Sequence, residues 1–241
     1  MFLLMLSKTK LRPTREDRRL DREILSETFT IGLPALGTTF VSCFGYIAFA
    51  RMVSGMGTTI FAAHSIAITA EQIVYIPGYG LRVATSTLVG NALGEKDIRK
   101  LKATGRVSIL ITLLIMVVNG IGLYLFAYPF MRLFTNSVNA ARIGSEMLRL
   151  VSFSEPFFGL MIVLEGISYG MGRTKHVFAC EAVSMWGIRI FGTFLCVNVF
   201  GLGLKAVWLC MIADNICKAI LLYIFRPKHV EENADDRGEL R

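Results

Sequence analysis

Six times along this chain, near residues 28–50, 60–91, 104–127, 147–170, 176–200 and 204–225, the side chains stay largely apolar for about twenty positions or more. A helix of about 20 apolar residues matches the ~30 Å hydrocarbon core of a bilayer. A soluble fold has nowhere to bury six of them. Composition agrees, because 54% of the 241 residues are hydrophobic and only 18% are charged, too little polar surface to cover a water-soluble domain. The runs also lack the strict alternation that a membrane barrel requires. The sequence therefore predicts an all-α, polytopic membrane protein with six transmembrane helices in one bundle. The second run is long enough to tilt, kink or project beyond the bilayer.

Lysine and arginine set the expected orientation. Residues 8–22 hold Lys8, Lys10, Arg12, Arg15, Arg18, Arg19 and Arg22, and the loop after the second run holds Lys96, Arg99, Lys100, Lys102 and Arg106. Arg173 and Lys175 follow the fourth run, and Arg226, Lys228, Arg237 and Arg241 follow the sixth. The three intervening loops offer only Arg51, Arg132, Arg142 and Lys205. Basic loops stay cytoplasmic, which predicts a multi-pass protein of the plasma (inner) membrane with both termini cytoplasmic. The net charge of +8 is on this reading a topology signal, with no nucleic-acid partner, since no folded soluble domain is left to bind one. Three segments follow: a helix remnant ("MFLLML") and basic cytoplasmic linker over 1–25, the six-helix lobe over 26–226, and a polar cytoplasmic tail over 227–241 expected to be disordered. Residues 128–144 are expected to form an external connection with one amphipathic piece, "PFMRLF".

Polar residues inside the runs are the candidates for function, because an intramembrane charge is costly and usually faces a cavity or a partner. On a helix, Glu71, Tyr75, Gly78 and Arg82 fall on one stripe, opposite Ile73, Ile76, Val83 and Leu88. Pro77, with Gly78 and Gly80, is expected to bend this helix, and Pro156 marks a second irregular point in "SEPFFG". A bent helix with a polar flank suits the wall of a water-filled cavity; the competing reading of Glu71 is a structural polar contact near the outer end. Glu71, Gln72, Tyr75, Arg82 and Glu155 are thus the candidate substrate or ion pathway, with Glu155 taken as the partner of Arg82. Asp214 and Lys218, at i and i+4, are expected to form a structural ion pair. Glu181 and Arg189 point in different directions and need partners on other helices. For His64 a polar contact between helices is favoured over a proton relay.

Nothing points to catalysis. No nucleophile elbow, phosphate loop or zinc spacing occurs, so no enzyme activity, cofactor or metal is expected. The five cysteines (Cys43, Cys180, Cys196, Cys210 and Cys217) show no ligand or redox spacing and are read as small buried apolar residues without a disulfide. Ser86, Gly90 and Gly94, and likewise Gly166 and Gly170, repeat every fourth residue, a spacing that lets membrane helices approach closely.

Four stretches then carry a resemblance: "LPALGTTFVSCFGYIAFARMVSGMGT", "AAHSIAITAEQIVYIPGYGLRVATSTLVGNALGEKD", "SMWGIRI" and "GLGLKAVWLCMIADN". As a set, in this order, they resemble the carboxyl-terminal lobe of the MATE (multidrug and toxic compound extrusion) family, over roughly residues 20–226. The resemblance implies half of a twelve-helix antiporter that exports drugs or amphiphilic organic cations in exchange for H+ or Na+. The solute would sit between this lobe and a missing amino-terminal lobe or a second copy of the chain. It also implies that the chain is a truncated or internally started product, or else a half-transporter that must pair. Where some relatives carry cation-binding carboxylates, this sequence has Ser42 and Phe158; Glu155 lies one turn earlier. Two alternatives remain: a lipid-linked saccharide flippase of the wider superfamily, or a membrane fragment inactive on its own.

Overall fold

The computed structural model describes residues 22–225, all in helices and short connections. The basic linker up to residue 21 and the tail over 227–241 lie outside the described residues. The helices are α1 (Arg22–Ser54), α2 (Thr58–Gly94), α3 (Ile98–Phe134), α4 (Val138–Ser152), α5 (Glu155–Gly170), α6 (Thr174–Val199) and α7 (Leu204–Ile224). Five of them are long and apolar enough to cross a bilayer, and α4 with α5 supplies a sixth crossing as a bent pair. Helix α1 starts at Arg22, inside the segment that the sequence reading gave to the linker. At 37 residues each, α2 and α3 are about 55 Å long, well beyond the hydrocarbon thickness.

The fourth crossing departs from the expected straight helix over 147–170. Helices α4 and α5 meet at 61° across Phe153 and Ser154. Pro156 explains the break: without an N–H it cannot bond the Ser152 carbonyl, and its fixed φ suits the first turn of a new helix. The amphipathic piece is also misplaced in the sequence reading. "PFMRLF" is the last part of α3, which runs through Pro129 to Phe134. The amphipathic helix is α4, burying Ala140, Ala141, Gly144, Met147, Leu148 and Val151 on one side. Ser137 caps it by accepting from the Ala140 N–H at 3.3 Å. The tight turn into α2 depends on Gly57, whose φ of +114° a side chain rarely tolerates.

Helix α2 lies against α3, α4 and α5; α1 packs on α6, and α7 packs on α5 and α6. One apolar cluster joins the end of α1, the start of α2, the end of α3, α4 and the start of α7 around Phe49, Met131, Met147 and Trp208. A second joins Tyr75, Met116, Phe158, Ile162, Val177 and Leu222 in the other half of the lobe. The small-residue stripes bring α2 and α5 together. A Cβ added at Gly166 would lie 2.7 Å from the Arg82 carbonyl oxygen, and one at Gly170 2.5 Å from that of Ser86. Large apolar side chains such as Phe40, Phe44, Leu110, Val118 and Leu125 point outward, as a bilayer solvent permits.

Candidate functional site

The polar stripe of α2 is real, but it faces inward. Glu71 and Tyr75 are buried, Gly78 is buried against Met116, and Ile73, Ile76, Val83 and Leu88 form the exposed side. The expectation that this stripe borders a water-filled cavity is not met within the described residues. Tyr75 stacks on Phe158 at 3.7 Å between ring centroids, and the missing side chain at Gly78 admits the Met116 methyl, so α5 and α3 close the face. Gln72, Pro77 and Gly80 lie on the exposed surface of α2 instead. The helix is continuous through Pro77, and Asn119 of α3 donates to the Val74 carbonyl oxygen at 3.0 Å, one turn before the proline. Neighbouring side chains commonly satisfy carbonyls that a membrane-helix proline disturbs. A lone Asn in an apolar run was the only sign of this contact in the sequence.

An acidic group forms where α2, α3 and α5 meet. The Tyr75 hydroxyl donates to the Glu71 carboxylate one turn back on the same helix. Glu155 stands at the start of α5 behind Gly120, where an added Cβ would lie 3.2 Å from that of Glu155. Glu155 is fully buried, and neither of its carboxyl oxygens has a hydrogen-bond partner among the described residues. Glu71 acts on it electrostatically as a like charge, and Glu155 acts on Tyr75 in turn. The elbow residues Ser152, Phe153 and Pro156 line, with Gly120, Ile121 and Tyr124, an outward-facing groove of about 450 Å³ that the Glu155 side chain does not reach.

The other buried charges are paired: Glu181 and Arg189 find partners on another helix as expected, whereas Arg82, Asp214 and Lys218 pair otherwise than expected. Arg82 bonds Glu165 at 3.0 Å rather than Glu155, and its guanidinium lies 5.2 Å from the centre of the Tyr79 ring. Asp214 and Lys218 share one face of α7, as their spacing requires, but each makes its short contact to α6. Asp214 meets Arg189 at 2.8 Å in an ion pair outside hydrogen-bond alignment, and Lys218 meets Glu181. A π-helical stretch, Met185–Ile190, explains why Glu181 and Arg189 both reach α7. Its wider turn takes more residues per revolution and rotates Arg189 back toward the Glu181 side. Sequence periodicity assumes an α turn throughout and so sends the two apart.

Ser42 and Ser184 complete this layer, and the sequence reading assigned neither to it. Ser42 donates to the Glu181 carboxylate, so a carboxylate from α6 sits beside the α1 position where some relatives carry their own. Ser184 lies between the Asp214 carboxylate and the Asp214 carbonyl oxygen, the latter at 2.8 Å. Arg189 also rests near the faces of Tyr46 and Phe49, 5.4 and 5.8 Å from their centroids. His64 makes the interhelical contact expected of it, accepting from Trp208 Nε1 at 3.2 Å. Of the cysteines, Cys43 is exposed and only Cys180 is buried, so the uniformly buried set expected from sequence is not found.

Comparison with known proteins agrees with this architecture. The MatE family model matches residues 34–195. A probable multidrug resistance protein NorM from Thermotoga maritima is 30% identical over 201 residues, covering 83% of this chain and 43% of that protein. One from Photorhabdus laumondii is 28% identical over 229 residues, covering 93% of this chain and 51% of that protein. Among solved structures, a MOP superfamily transporter from Pyrococcus furiosus superposes with a TM-score of 0.84 at 21% identity over 93% of this chain and 50% of its own. The Vibrio cholerae MATE transporter VcmN in its bent form gives 0.80 at 16% identity, over 89% and 49%. The chain spans about half the length of the relatives it matches. With a family model matching two thirds of the chain and a 30% identical relative covering 83% of it, the chain belongs to the MATE family of membrane transporters.

Proposed function

We propose that this chain works as one lobe of a secondary antiporter that exports drugs or amphiphilic organic cations, driven by H+ or Na+ binding at Glu155 and Glu71. The lobe sits in the plasma membrane with both ends cytoplasmic, and a second lobe, whether in the same protein or another copy, forms the other wall of the solute path. The Glu155 carboxyl carries this reading. A bare carboxylate that is fully buried, with no donor among the described residues, is too costly to keep charged. It has to hold a proton or a small cation, which is the property a coupling site needs. The Tyr75 hydroxyl fixes the Glu71 carboxylate on the buried face of α2.

The flippase alternative calls for a cationic cavity. Arg82, Arg189 and Lys218 each have a carboxylate partner, which favours cation efflux over an anionic lipid-linked cargo. The test uses a transporter carrying both lobes, with ethidium accumulation in cells as the readout. Glu155→Gln and Glu71→Gln should each lower efflux at least about tenfold, a loss of ~1.4 kcal/mol or more of driving interaction, at unchanged membrane abundance. Full efflux from Glu155→Gln would remove the site from the mechanism.

A further inference from the structure

The spacing of the cysteines gives no disulfide framework, yet folding brings two sulfurs together. Cys196 Sγ lies 3.7 Å from Cys210 Sγ, across the contact between the end of α6 and the first turns of α7. Both are half-buried. Cys196 belongs to a second π-helical stretch, Leu195–Val199, and its carbonyl oxygen accepts from the Leu202 N–H at 2.7 Å, which folds the connection back over it. Cys210 Sγ rests against Gly192, where an added Cβ would sit 3.2 Å away, so the glycine leaves room for the sulfur. The chain passes between the helices through a short turn containing Gly201 at φ +61°.

We infer that Cys196 and Cys210 form a dithiol that oxidises to an intramolecular disulfide, a redox-controlled tie between α6 and α7. A disulfide needs its sulfurs at about 2.05 Å, so rotations about the two Cα–Cβ bonds have about 1.6 Å to close. The pair lies toward the helix ends next to the connection over 200–203, and its oxidation needs an oxidant. That oxidant is a disulfide, either a small one such as oxidised glutathione or that of a thiol–disulfide oxidoreductase. One protein thiolate attacks a sulfur of the oxidant and releases one thiol, leaving a mixed disulfide. The second protein thiolate then attacks the protein-bound sulfur of that mixed disulfide and releases a second thiol. Two protein thiols are oxidised, the oxidant disulfide is reduced to two thiols, and the two protons leave with those products. The tie would join the same helices that Arg189 and Asp214 already join, at the irregular end of α6.

The test treats membranes containing the full chain with oxidised glutathione, then counts free thiols by mass after maleimide labelling in denaturant. The expected result is a fall from five thiols to three, a monomeric species, a cross-link mapped to Cys196 and Cys210, and full reversal by reductant. Cys196→Ser and Cys210→Ser should each lose the internal link and accumulate a glutathione adduct on the remaining sulfur. Cys43→Ser and Cys180→Ser should still form it. Cys180 and Cys217 also influence each other across α6 and α7, so a link mapped to that pair would overturn the inference. So would five thiols surviving oxidation, covalent dimers as the sole product, or the same scatter of links that the detergent-unfolded chain gives.

Discussion

Replacing Arg82 by Met should destabilise the lobe more than replacing its partner Glu165 by Gln. The difference follows from unequal burial, since the Arg82 side chain is 32% exposed and that of Glu165 only 9%. Without the guanidinium, Glu165 loses its one bonded partner inside the lobe, and a stranded buried acceptor costs about 1–3 kcal/mol, more when charged. Without the carboxylate, Arg82, one-third exposed, is not stranded in the interior and keeps the Tyr79 ring beneath it, so about 1 kcal/mol or less is expected, as for a part-exposed ion pair. A double-mutant cycle should therefore give an Arg82–Glu165 coupling near 2 kcal/mol, about thirtyfold in the unfolding equilibrium. The parallel cycle between Arg82 and Glu155 should be additive within about 0.5 kcal/mol. Unfolding in a graded mixture of mild and denaturing detergents, followed by tryptophan emission, reads these values, because Trp208 is buried and Trp186 exposed in the folded lobe. Equal losses from the two single variants, or a larger coupling to Glu155, would refute the assignment of the pair.

Two further substitutions test the packing. Gly166→Ala puts a methyl 2.7 Å from a backbone carbonyl oxygen that cannot move aside, and overpacking of this kind costs about 1–3 kcal/mol; a thermal melt in detergent should fall accordingly, whereas Gly94→Ala, with open space around it, should leave the melt unchanged. Trp208→Phe removes the donor to His64 Nδ1 and leaves a buried acceptor unsatisfied at about 1–3 kcal/mol; a melt within error of the parent protein would show that the contact contributes nothing.

The amount the sequence revealed depends on which rule applied locally. The six crossings were legible because bilayer thickness imposes one length on every span, and the two-sided character of α2 followed from its α-helical period. The direction in which its polar side faced was not legible. Periodicity separates Glu71 from Ile73 but does not say whether α5 or water lies opposite, and the stacking of Tyr75 on Phe158 decides that from 83 positions away. Pairing failed in the same way. Arg82, Glu155 and Glu165 fit several one-dimensional schemes, and only the close approach at Gly166 brings the correct carboxylate level with the guanidinium. For Asp214 and Lys218 the face was right and the partners wrong, since the π-helical stretch in α6 breaks the geometry on which spacing arguments rest.

The irregular points of the lobe coincide with its charged groups. Pro156 ends the helical ladder next to Glu155, and the Met185–Ile190 stretch carries Arg189. Where the helices are regular, small residues set the contacts instead, as at Gly166 and Gly170. An irregular turn has weaker internal hydrogen bonding than an α turn, so its shape depends on contacts to other helices. Neutralising or exposing a charge held there changes the balance that fixes the local backbone, whereas the same change on a regular stretch mostly costs stability. Departure from helical regularity is expected where function has to be built in. Among the charged groups buried beside these points, Glu155 alone has neither a counter-charge in contact nor a hydrogen-bond donor among the described residues. Under the antiport proposed above, the arrangement around it is the one that would respond to a bound ion, with the paired charges of α6 and α7 as the frame that stays fixed.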